Sequence, residues 1–335
     1  MKPEKIIDDF KRSIYKPIYW LEGEEEFFID EVINYAEHNI LSESEASFNL
    51  TIFYGRDAEW PTIMNACRRY PMFAERQVVL IKEAQGMKDI DKLEAYIENP
   101  LSSTVLVVGY KNKKVDGRTK IARLLKDKGV LLTTKKLYDS ELPEWTQQQV
   151  KKKGFTISSK ALLLLIDHIG NDLSRLNNEI DKVVLNLNKR KSITEDDIEK
   201  YVGISKEFNV FELQQAIAMK DLYKAIRIVQ YFEANPKAAP LPLVFPSLYG
   251  YFSKVQMILA APAREEKVIA TLLGISPYFV KDYLRTMEKY TPEGIEQLLL
   301  LLHSYNLKSL GVNDAGTADM LLLKEMVVKM ISLGS

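Results

Sequence analysis

The chain has 335 residues, enough for two or three domains, and its 46% apolar and 27% charged residues are typical of a globular protein. Lys and Arg number 46, as do Asp and Glu, so any contact with nucleic acid or a membrane requires a local patch. A single cysteine, Cys67, excludes an internal disulfide and a cysteine-based metal cluster. Because no apolar run reaches the roughly 20 residues that span a bilayer and no signal-peptide core follows Met1, we expect a cytoplasmic protein.

The first 135 residues alternate between strand-like and helix-like patterns. The strand-like runs are Pro17–Leu21, Phe48–Tyr54, Gln77–Ile81, Thr104–Val108 and Val130–Thr134. The helical patterns between them are Glu26–Asn39, Trp60–Tyr70, Lys92–Glu98 and Arg118–Asp127. This alternation predicts an α/β domain with a five-stranded, mostly parallel sheet and helices on both faces.

After Tyr138 the sequence predicts helices and no strands. The first expected helices are Leu142–Lys152, Ser159–Ile169 ended by Gly170, a third capped by Asp172, and a fourth opened by a Thr194–Asp197 capping box. A further all-helical region follows from Phe208 and closes with an amphipathic helix at Thr317–Ser332. The expected domains are therefore 1–139, 140–205 and 206–335.

The loop after the first strand lacks the residues that bind a nucleotide. An α/β domain followed by a small helical module is the layout of nucleotide-driven ATPases, whose phosphate loop requires several glycines, a lysine and a hydroxyl. Here Gly23 is followed by three glutamates, Glu24, Glu25 and Glu26, which would repel a triphosphate. The third strand ends in Lys82-Glu83 and offers no Asp for magnesium. We therefore expect no ATP hydrolysis and no nucleotide cofactor.

No other catalytic constellation is present in the sequence. The three histidines, His38, His168 and His303, are scattered over different regions, and surface or core positions explain them. The sequence contains no zinc-protease, nucleophile-elbow or dinucleotide-binding motif. It therefore predicts no catalytic residue and no metal site.

The segment from Arg68 to Arg76 is the most informative stretch of the chain. Pro71 should end the preceding helix, since it has no N–H and disfavours the helical conformation of the residue before it. Met72 and Phe73 then stand side by side among charged residues. The pair could fill an apolar pocket on a partner, because Met adapts its shape and Phe buries a large area. The alternative is that the pair seals the core of the domain.

Several fragments resemble the delta subunit of the bacterial DNA polymerase III clamp loader. Tyr19–Glu31 resembles the degenerate first loop of that family, Tyr70–Val79 its Pro-hydrophobic-Phe segment, and Gly170–Lys182 a helix of its lid. Phe208–Leu213 resembles the entry to its third domain, and Tyr305–Lys308 a late helix there. The resemblance implies an AAA+-like N-terminal domain, a small helical lid and a C-terminal helical collar domain.

The resemblance also implies a function and partners. Members of the family bind the ring-shaped sliding clamp through a hydrophobic pair, which corresponds here to Met72 and Phe73 after Pro71. The first position of the pair is more often Leu, so Met72 departs slightly from the pattern. Such a subunit helps to open the clamp for loading onto primed DNA without hydrolysing ATP. Its collar domain packs with ATPase and delta-prime-type subunits.

A basic stretch from Lys111 to Lys136 holds ten basic residues against two acidic ones. One interpretation is a surface that faces the phosphates of primer-template DNA within the assembly. The other is a solvated helix and loop. The residues expected to contact DNA on the first interpretation are Lys111, Lys113, Lys114, Arg118, Lys120 and Arg123.

Two rival functions belong to other classes. The segment Ala270–Leu284, with Gly274 at a turn, is compatible with a helix-turn-helix DNA-binding regulator. Its second helix, however, offers Tyr278, Phe279 and Tyr283 rather than side chains that read base edges. Site-specific protection of duplex DNA would support the regulator. Magnesium-dependent nucleotide binding would support an active ATPase instead.

Overall fold

The computed structural model describes residues 2–187, 190–236, 239–261, 265–275, 277–314 and 316–333, without the side chains of Pro277 and Tyr278. The described chain forms two compact units, 1–137 and 138–335. The predicted division into three domains, 1–139, 140–205 and 206–335, stays a prediction.

The first unit is built on a five-stranded sheet in which all strands are parallel, as the alternating sequence pattern predicts. The strands are β1 (Ile18–Gly23), β2 (Leu50–Tyr54), β3 (Gln77–Lys82), β4 (Thr104–Lys111) and β5 (Val130–Thr134). Their order across the sheet is β2-β3-β4-β1-β5, which places β1 between β4 and β5. The central strands are buried on both faces, as expected of a sheet covered by crossover helices.

Helices cover the two faces of this sheet. They are α1 (Pro3–Lys11), α2 (Glu26–Asn39), α3 (Glu43–Asn49), α4 (Trp60–Cys67), α5 (Glu94–Ile97) and α6 (Lys120–Lys128). Alternate residues of β1 show the two-sided packing: Trp20 packs in the cluster that holds α4 and α6, and Tyr19 packs in the cluster that holds α1 and α2. Both side chains are almost completely buried.

The sequence missed two helices of this unit and overextended another. Phe48 and Asn49 end α3, which begins with a Ser42–Glu45 capping box, so β2 begins only at Leu50. The helix α1 starts with Pro3 at its first turn and was not expected. The helix α4 ends at Cys67 rather than Tyr70, because the chain leaves the helical conformation in the residues that precede Pro71.

The second unit begins with four helices at the positions that the sequence predicts. They are α7 (Leu142–Lys152), α8 (Ser159–Ile169), α9 (Leu173–Asn186) and α10 (Glu195–Val202). Asp172 caps α9 through the N–H of Arg175, and the Thr194–Asp197 capping box opens α10. The expectation that strands vanish after Tyr138 is wrong: β6 (Thr156–Ile157) and β7 (Ser192–Ile193) form a short parallel pair. Two-residue strands are too short to leave a periodic pattern.

The rest of the second unit is helical and shares one apolar core. Its helices are α11 (Val210–Ala218), α12 (Leu222–Ala234), α13 (Leu241–Ala260), α14 (Glu266–Leu273), α15 (Pro277–Met287), α16 (Pro292–Ser309) and α17 (Asp319–Ser332). Within the described residues, no helix combines the length and apolarity needed to cross a bilayer.

The proposed helix-turn-helix corresponds to α14 and α15. Gly274 lies at the turn after α14, as predicted, and adopts the left-handed conformation there. Ser276 and the side chain of Tyr278 lie outside the described residues. Tyr283 is buried and stacks on Tyr251 at 4.6 Å between ring centroids, and Phe279 packs against the same core. These two aromatic side chains of α15 therefore pack with neighbouring helices instead of lying on a surface that could read DNA bases.

Candidate functional site

The turn between α4 and β3 exposes apolar side chains to solvent. Phe73 is 96% exposed, Met72 53% and Tyr70 78%. The expectation that the Met-Phe pair faces solvent is confirmed, and the alternative that it seals the core does not fit these exposures. A neighbouring aromatic side chain, Phe48 at the end of α3, is 66% exposed and was assigned to a strand in the sequence analysis.

The backbone of Phe73 adopts the left-handed conformation, with φ at +54°. For a residue other than glycine or asparagine this conformation is costly, because Cβ crowds the carbonyl oxygen. The turn therefore holds Phe73 in a backbone state that its own preferences disfavour. Such strained residues occur where the surrounding structure fixes them, often at ligand-binding sites.

A buried glutamine supports the segment that leads into this turn. The side-chain amide of Gln77 donates to the carbonyl of Ala66 at 3.0 Å and to that of Arg69 at 2.6 Å. It also contacts Thr104 Oγ1, which donates to the carbonyl of Cys67 at 2.9 Å. The carbonyl groups at the end of α4, which have no partner within the helix, are thereby satisfied.

A buried asparagine holds the turn itself. The side chain of Asn49 accepts a hydrogen bond from the N–H of Met72 at 2.7 Å and donates one to the carbonyl of the same residue at 2.9 Å. Asn49 is 3% exposed and follows Phe48 in the chain. The contact joins residues 23 positions apart, so no local sequence pattern signals it.

The loop after β1 is closed by hydrogen bonds to its own chain. The N–H of Gly23 donates to the carbonyl of Lys113 at 3.2 Å, and the N–H of Glu24 donates to that of Thr134, also at 3.2 Å. The N–H of Glu25 donates to Thr134 Oγ1 at 3.2 Å. In a working phosphate loop such N–H groups point at the phosphates. Here three successive N–H groups have intramolecular acceptors instead.

Gly23 makes this closure possible. Its φ is +123°, and a Cβ on it would lie 2.1 Å from the carbonyl oxygen of Thr134. Only glycine can bring β1 and β5 this close at that backbone angle. The glycine that looks like a remnant of a phosphate loop therefore has a structural role in the sheet.

A buried lysine lies among the carboxylates next to this loop. Lys111, at the end of β4, has its ammonium 2.7 Å from Glu83, 2.9 Å from Asp30 and 3.5 Å from Glu26. Its side chain is only 9% exposed. Glu26 also accepts a hydrogen bond from Asn112 at 2.7 Å. A cation from the chain itself thus occupies the acidic cluster at the carboxyl end of the sheet.

The pKa shifts agree with this arrangement. Burial raises the pKa of Asp30 above its usual value, and the hydrogen bond from Lys111 only partly offsets that effect. Burial alone would lower the pKa of Lys111, but hydrogen bonds with Glu83 and Asp30 outweigh it and the pKa is raised. The pKa of Glu83 is lowered because hydrogen bonds from Lys111 and Gln85 outweigh its burial. Lys111 therefore stays charged and stabilises the carboxylates around it.

The residues predicted to contact DNA do not form one unpaired basic surface. Lys111 is buried in the acidic cluster, which removes it from an exposed patch. Lys113 is exposed and donates to the carbonyl of Gln85 at 3.1 Å, and Arg123 is exposed on α6. Three further members pair with carboxylates: Lys114 with Glu24, Arg118 with Asp116, and Lys120 with Glu94 and Glu98.

The chain is similar in sequence to known proteins. Residues 19–135 match the family described as DNA polymerase III, delta subunit. The chain is 24% identical to the DNA polymerase III subunit delta of Bacillus subtilis over 94% of this chain and 93% of the relative. It is 22% identical to a probable DNA polymerase III subunit delta of Aquifex aeolicus over 68% of each chain.

A solved structure is similar over nearly the full length of the chain. It is the Bacillus subtilis DNA clamp loader delta protein, with a TM-score of 0.53, 22% identity, and coverage of 98% of this chain and 99% of that one. This likeness shows a shared fold, and it agrees with the expected parallel α/β domain followed by helices. Together with the family match, it confirms the resemblance that the sequence predicts.

Proposed function

We propose, on the premise that the chain belongs through residues 19–135 to the family of DNA polymerase III delta subunits, that it binds the sliding clamp of a bacterial clamp loader. Met72 and Phe73, following Pro71, are the side chains that enter the clamp. The observation that carries this proposal is the exposure of Phe73, 96%, on a turn whose backbone is held by buried side chains. Exposed apolar side chains that adjoin one another mark interaction surfaces, and Met72 and Phe73 are adjacent in the chain.

Clamp opening follows from differential binding. A rigid apolar projection that fits the clamp better when the ring interface is strained open shifts the ring toward the open state. It can shift the equilibrium only by the difference between its affinities for the two states. Two well-buried apolar side chains contribute on the order of 2–5 kcal/mol to such a contact.

The chain itself does not bind or hydrolyse ATP in this proposal. The N–H groups of Gly23, Glu24 and Glu25 donate to the chain, and Lys111 occupies the acidic cluster beside them. The remaining carboxylates would repel a triphosphate. The energy of ATP hydrolysis must therefore come from neighbouring ATPase subunits.

The second unit supplies the contacts with those neighbours. Several of its helices carry exposed apolar side chains, which an isolated chain would leave in water. They include Tyr249 and Met257 on α13, Leu300 on α16, and Leu321 on α17. We assign these surfaces to a collar formed with ATPase and delta-prime-type subunits, and we place the assembly in the cytoplasm.

Contact with primer-template DNA remains part of the proposal for the exposed members of the basic stretch, with Arg123 as the first residue to test. Replacing Arg123 by Glu should lower the salt dependence of DNA binding by the assembled loader, since each phosphate contact adds to that dependence. An unchanged salt dependence would remove this stretch from the DNA-binding surface.

The decisive experiment measures binding of Met72→Ala/Phe73→Ala to purified sliding clamp. Loss of 2–5 kcal/mol weakens binding by more than about 30-fold. The midpoint of thermal unfolding should stay unchanged, because both side chains face solvent. Clamp binding at the wild-type affinity would overturn the proposal.

A control variant and a nucleotide titration accompany this experiment. Ile14→Ala is a matched control, since Ile14 is an exposed apolar residue of the same unit, 51% exposed, and lies outside the turn. It should leave clamp binding unchanged. Titration of the wild-type chain with ATP and magnesium should give no saturable binding, and magnesium-dependent affinity would contradict the reading of the loop at Gly23.

A further inference from the structure

Asn49 makes two hydrogen bonds to the backbone of Met72, one of the two residues proposed to bind the clamp. Its carboxamide accepts from the N–H of Met72 at 2.7 Å and donates to the carbonyl of Met72 at 2.9 Å. The same amide donates to the carbonyl of Glu45 at 3.0 Å, which anchors the side chain to its own helix. Both main-chain polar groups of Met72 are thus held by one buried side chain.

We propose that Asn49 is a positioning residue that fixes the backbone of Met72 and thereby presents Phe73 to the clamp. This inference rests on the proposed function of the Met72–Phe73 pair. Asn49 is 3% exposed and makes no contact with the clamp in this scheme. It acts through the turn.

The left-handed backbone of Phe73 explains why such a residue is needed. With φ at +54°, Phe73 would return to an ordinary conformation if the turn were free, and its ring would then point elsewhere. Its exposed ring has little packing that could hold the backbone in this state. The restraint must therefore come from the main chain next to it, where Asn49 fixes Met72.

The far side of the turn is held by different contacts. Arg76 lies over the ring of Tyr15, 4.2 Å from the ring centroid, just before β3 begins. Gln77 fixes the end of α4, before the turn. Removal of Asn49 should therefore release the Met72–Phe73 segment while leaving α4 and β3 in place.

A rigid turn binds more tightly than a mobile one because less conformational entropy is lost on binding. Asn49→Ala should weaken clamp binding about 10-fold, which corresponds to about 1.4 kcal/mol. Asn49→Asp should also weaken it, since a carboxylate accepts from the N–H of Met72 but cannot donate to its carbonyl. The second variant keeps the size of the side chain and so leaves no cavity.

Asn39→Ala is the matched control. Asn39 ends α2 as Asn49 ends α3, and its amide donates to the carbonyl four residues earlier, that of Tyr35, at 3.2 Å. The variant removes the same kind of helix-terminal bond without touching the turn. It should leave clamp binding unchanged.

A double-mutant cycle separates positioning from general stability. In a Phe73→Ala background, Asn49→Ala should weaken clamp binding less than threefold, because the side chain that it positions is absent. An equal loss in both backgrounds would mean that Asn49 only stabilises the unit and would overturn the proposal, as would full binding by Asn49→Ala and Asn49→Asp. Full binding by Met72→Ala/Phe73→Ala would instead overturn the proposed function itself.

Discussion

The loop at residues 22–26 and the turn at residues 68–76 lie at opposite ends of the same parallel sheet, and they differ in which groups they leave available to a ligand. The loop follows β1 and directs its N–H groups into the chain. The turn precedes β3, and its backbone is held while the side chains of Met72 and Phe73 remain in water.

This difference separates two ways in which a site can be organised. At the loop, local polar groups satisfy one another, so a ligand would have to break existing bonds before it gained any. At the turn, Asn49 bonds both main-chain polar groups of Met72 while the side chains of Met72 and Phe73 remain exposed, so a partner gains burial without displacing those bonds. Such a surface suits the protein partner that we propose, whereas the N–H groups of Gly23, Glu24 and Glu25 already have acceptors within the chain.

The largest effect that tests this comparison is expected at Gly23. Gly23→Ala should lower the free energy of unfolding by about 3 kcal/mol or more, since φ is +123° and the new Cβ would lie 2.1 Å from the carbonyl oxygen of Thr134. Chemical denaturation measures the loss. Gly117→Ala is the control, because a Cβ there meets nothing within 4 Å, and it should change stability by less than about 0.5 kcal/mol.

A tolerated alanine at Gly23 would mean that the loop is free to move away from β5. The hydrogen bonds that close the loop would then contribute little to stability, and the loop would not differ from the turn in the way described above.

A second, smaller effect is expected at Lys111. Lys111→Met leaves Glu26, Asp30 and Glu83 without their shared cation, so the free energy of unfolding should fall by about 1–3 kcal/mol at neutral pH, less than for a fully buried pair because the carboxylates are partly solvated. Lys114→Met is the control: its pair with Glu24, at 3.5 Å, is exposed on both sides and should contribute less than about 1 kcal/mol.

The pH dependence of the stability loss in Lys111→Met tests whether the loss is electrostatic. Glu83 has a lowered pKa in the folded wild type, so its contribution to stability is present above its usual pKa and is lost as the pH falls through the lowered value. In Lys111→Met that contribution is absent, and protonation relieves the repulsion among the carboxylates. The deficit of the variant should therefore shrink as the pH is lowered, and a constant deficit would show that Lys111 acts by packing alone.

The sequence predicted the strands and helices better than the side-chain contacts at the loop and the turn. Buried runs such as Gln77–Ile81 and caps such as Asp172 produce local patterns, and the strands and helices they indicate are present. The absence of a glycine-rich phosphate loop was also visible, because that motif lies within a few residues. The exposure of Phe73 did not follow from the local pattern, which left open whether the Met72–Phe73 pair faces solvent or seals the core.

The contacts that organise the two sites lie between residues far apart in sequence. Lys111 was expected to lie on a basic surface, since its neighbours are basic, but β4 delivers its ammonium to carboxylates that are 28 to 85 residues away. Asn49 was read as part of a strand, although its Ser42–Glu45 capping box indicated a helix. Neither the carboxylates that surround Lys111 nor the Met72 backbone that Asn49 holds could be identified before the order of the strands in the sheet was known.

The smallest effect is expected at Phe73 and has the opposite sign from the others. Phe73→Gly should leave the free energy of unfolding unchanged or raise it by up to about 1 kcal/mol, because glycine adopts φ of +54° without strain and the ring is 96% exposed. Met72→Gly is the control, since Met72 has no positive φ and glycine there relieves no strain, so we expect a loss of stability of at least about 0.5–1 kcal/mol.

Thermal unfolding of the two variants, compared with their clamp affinities, decides the point. Phe73→Gly should be at least as stable as the wild type and bind the clamp weakly, which would mean that the chain keeps a strained aromatic residue for binding at the expense of stability. If Phe73→Gly is destabilised by more than about 1 kcal/mol, the ring contributes to packing in the free chain. The turn would then be part of the core, and its contrast with the closed loop would not hold.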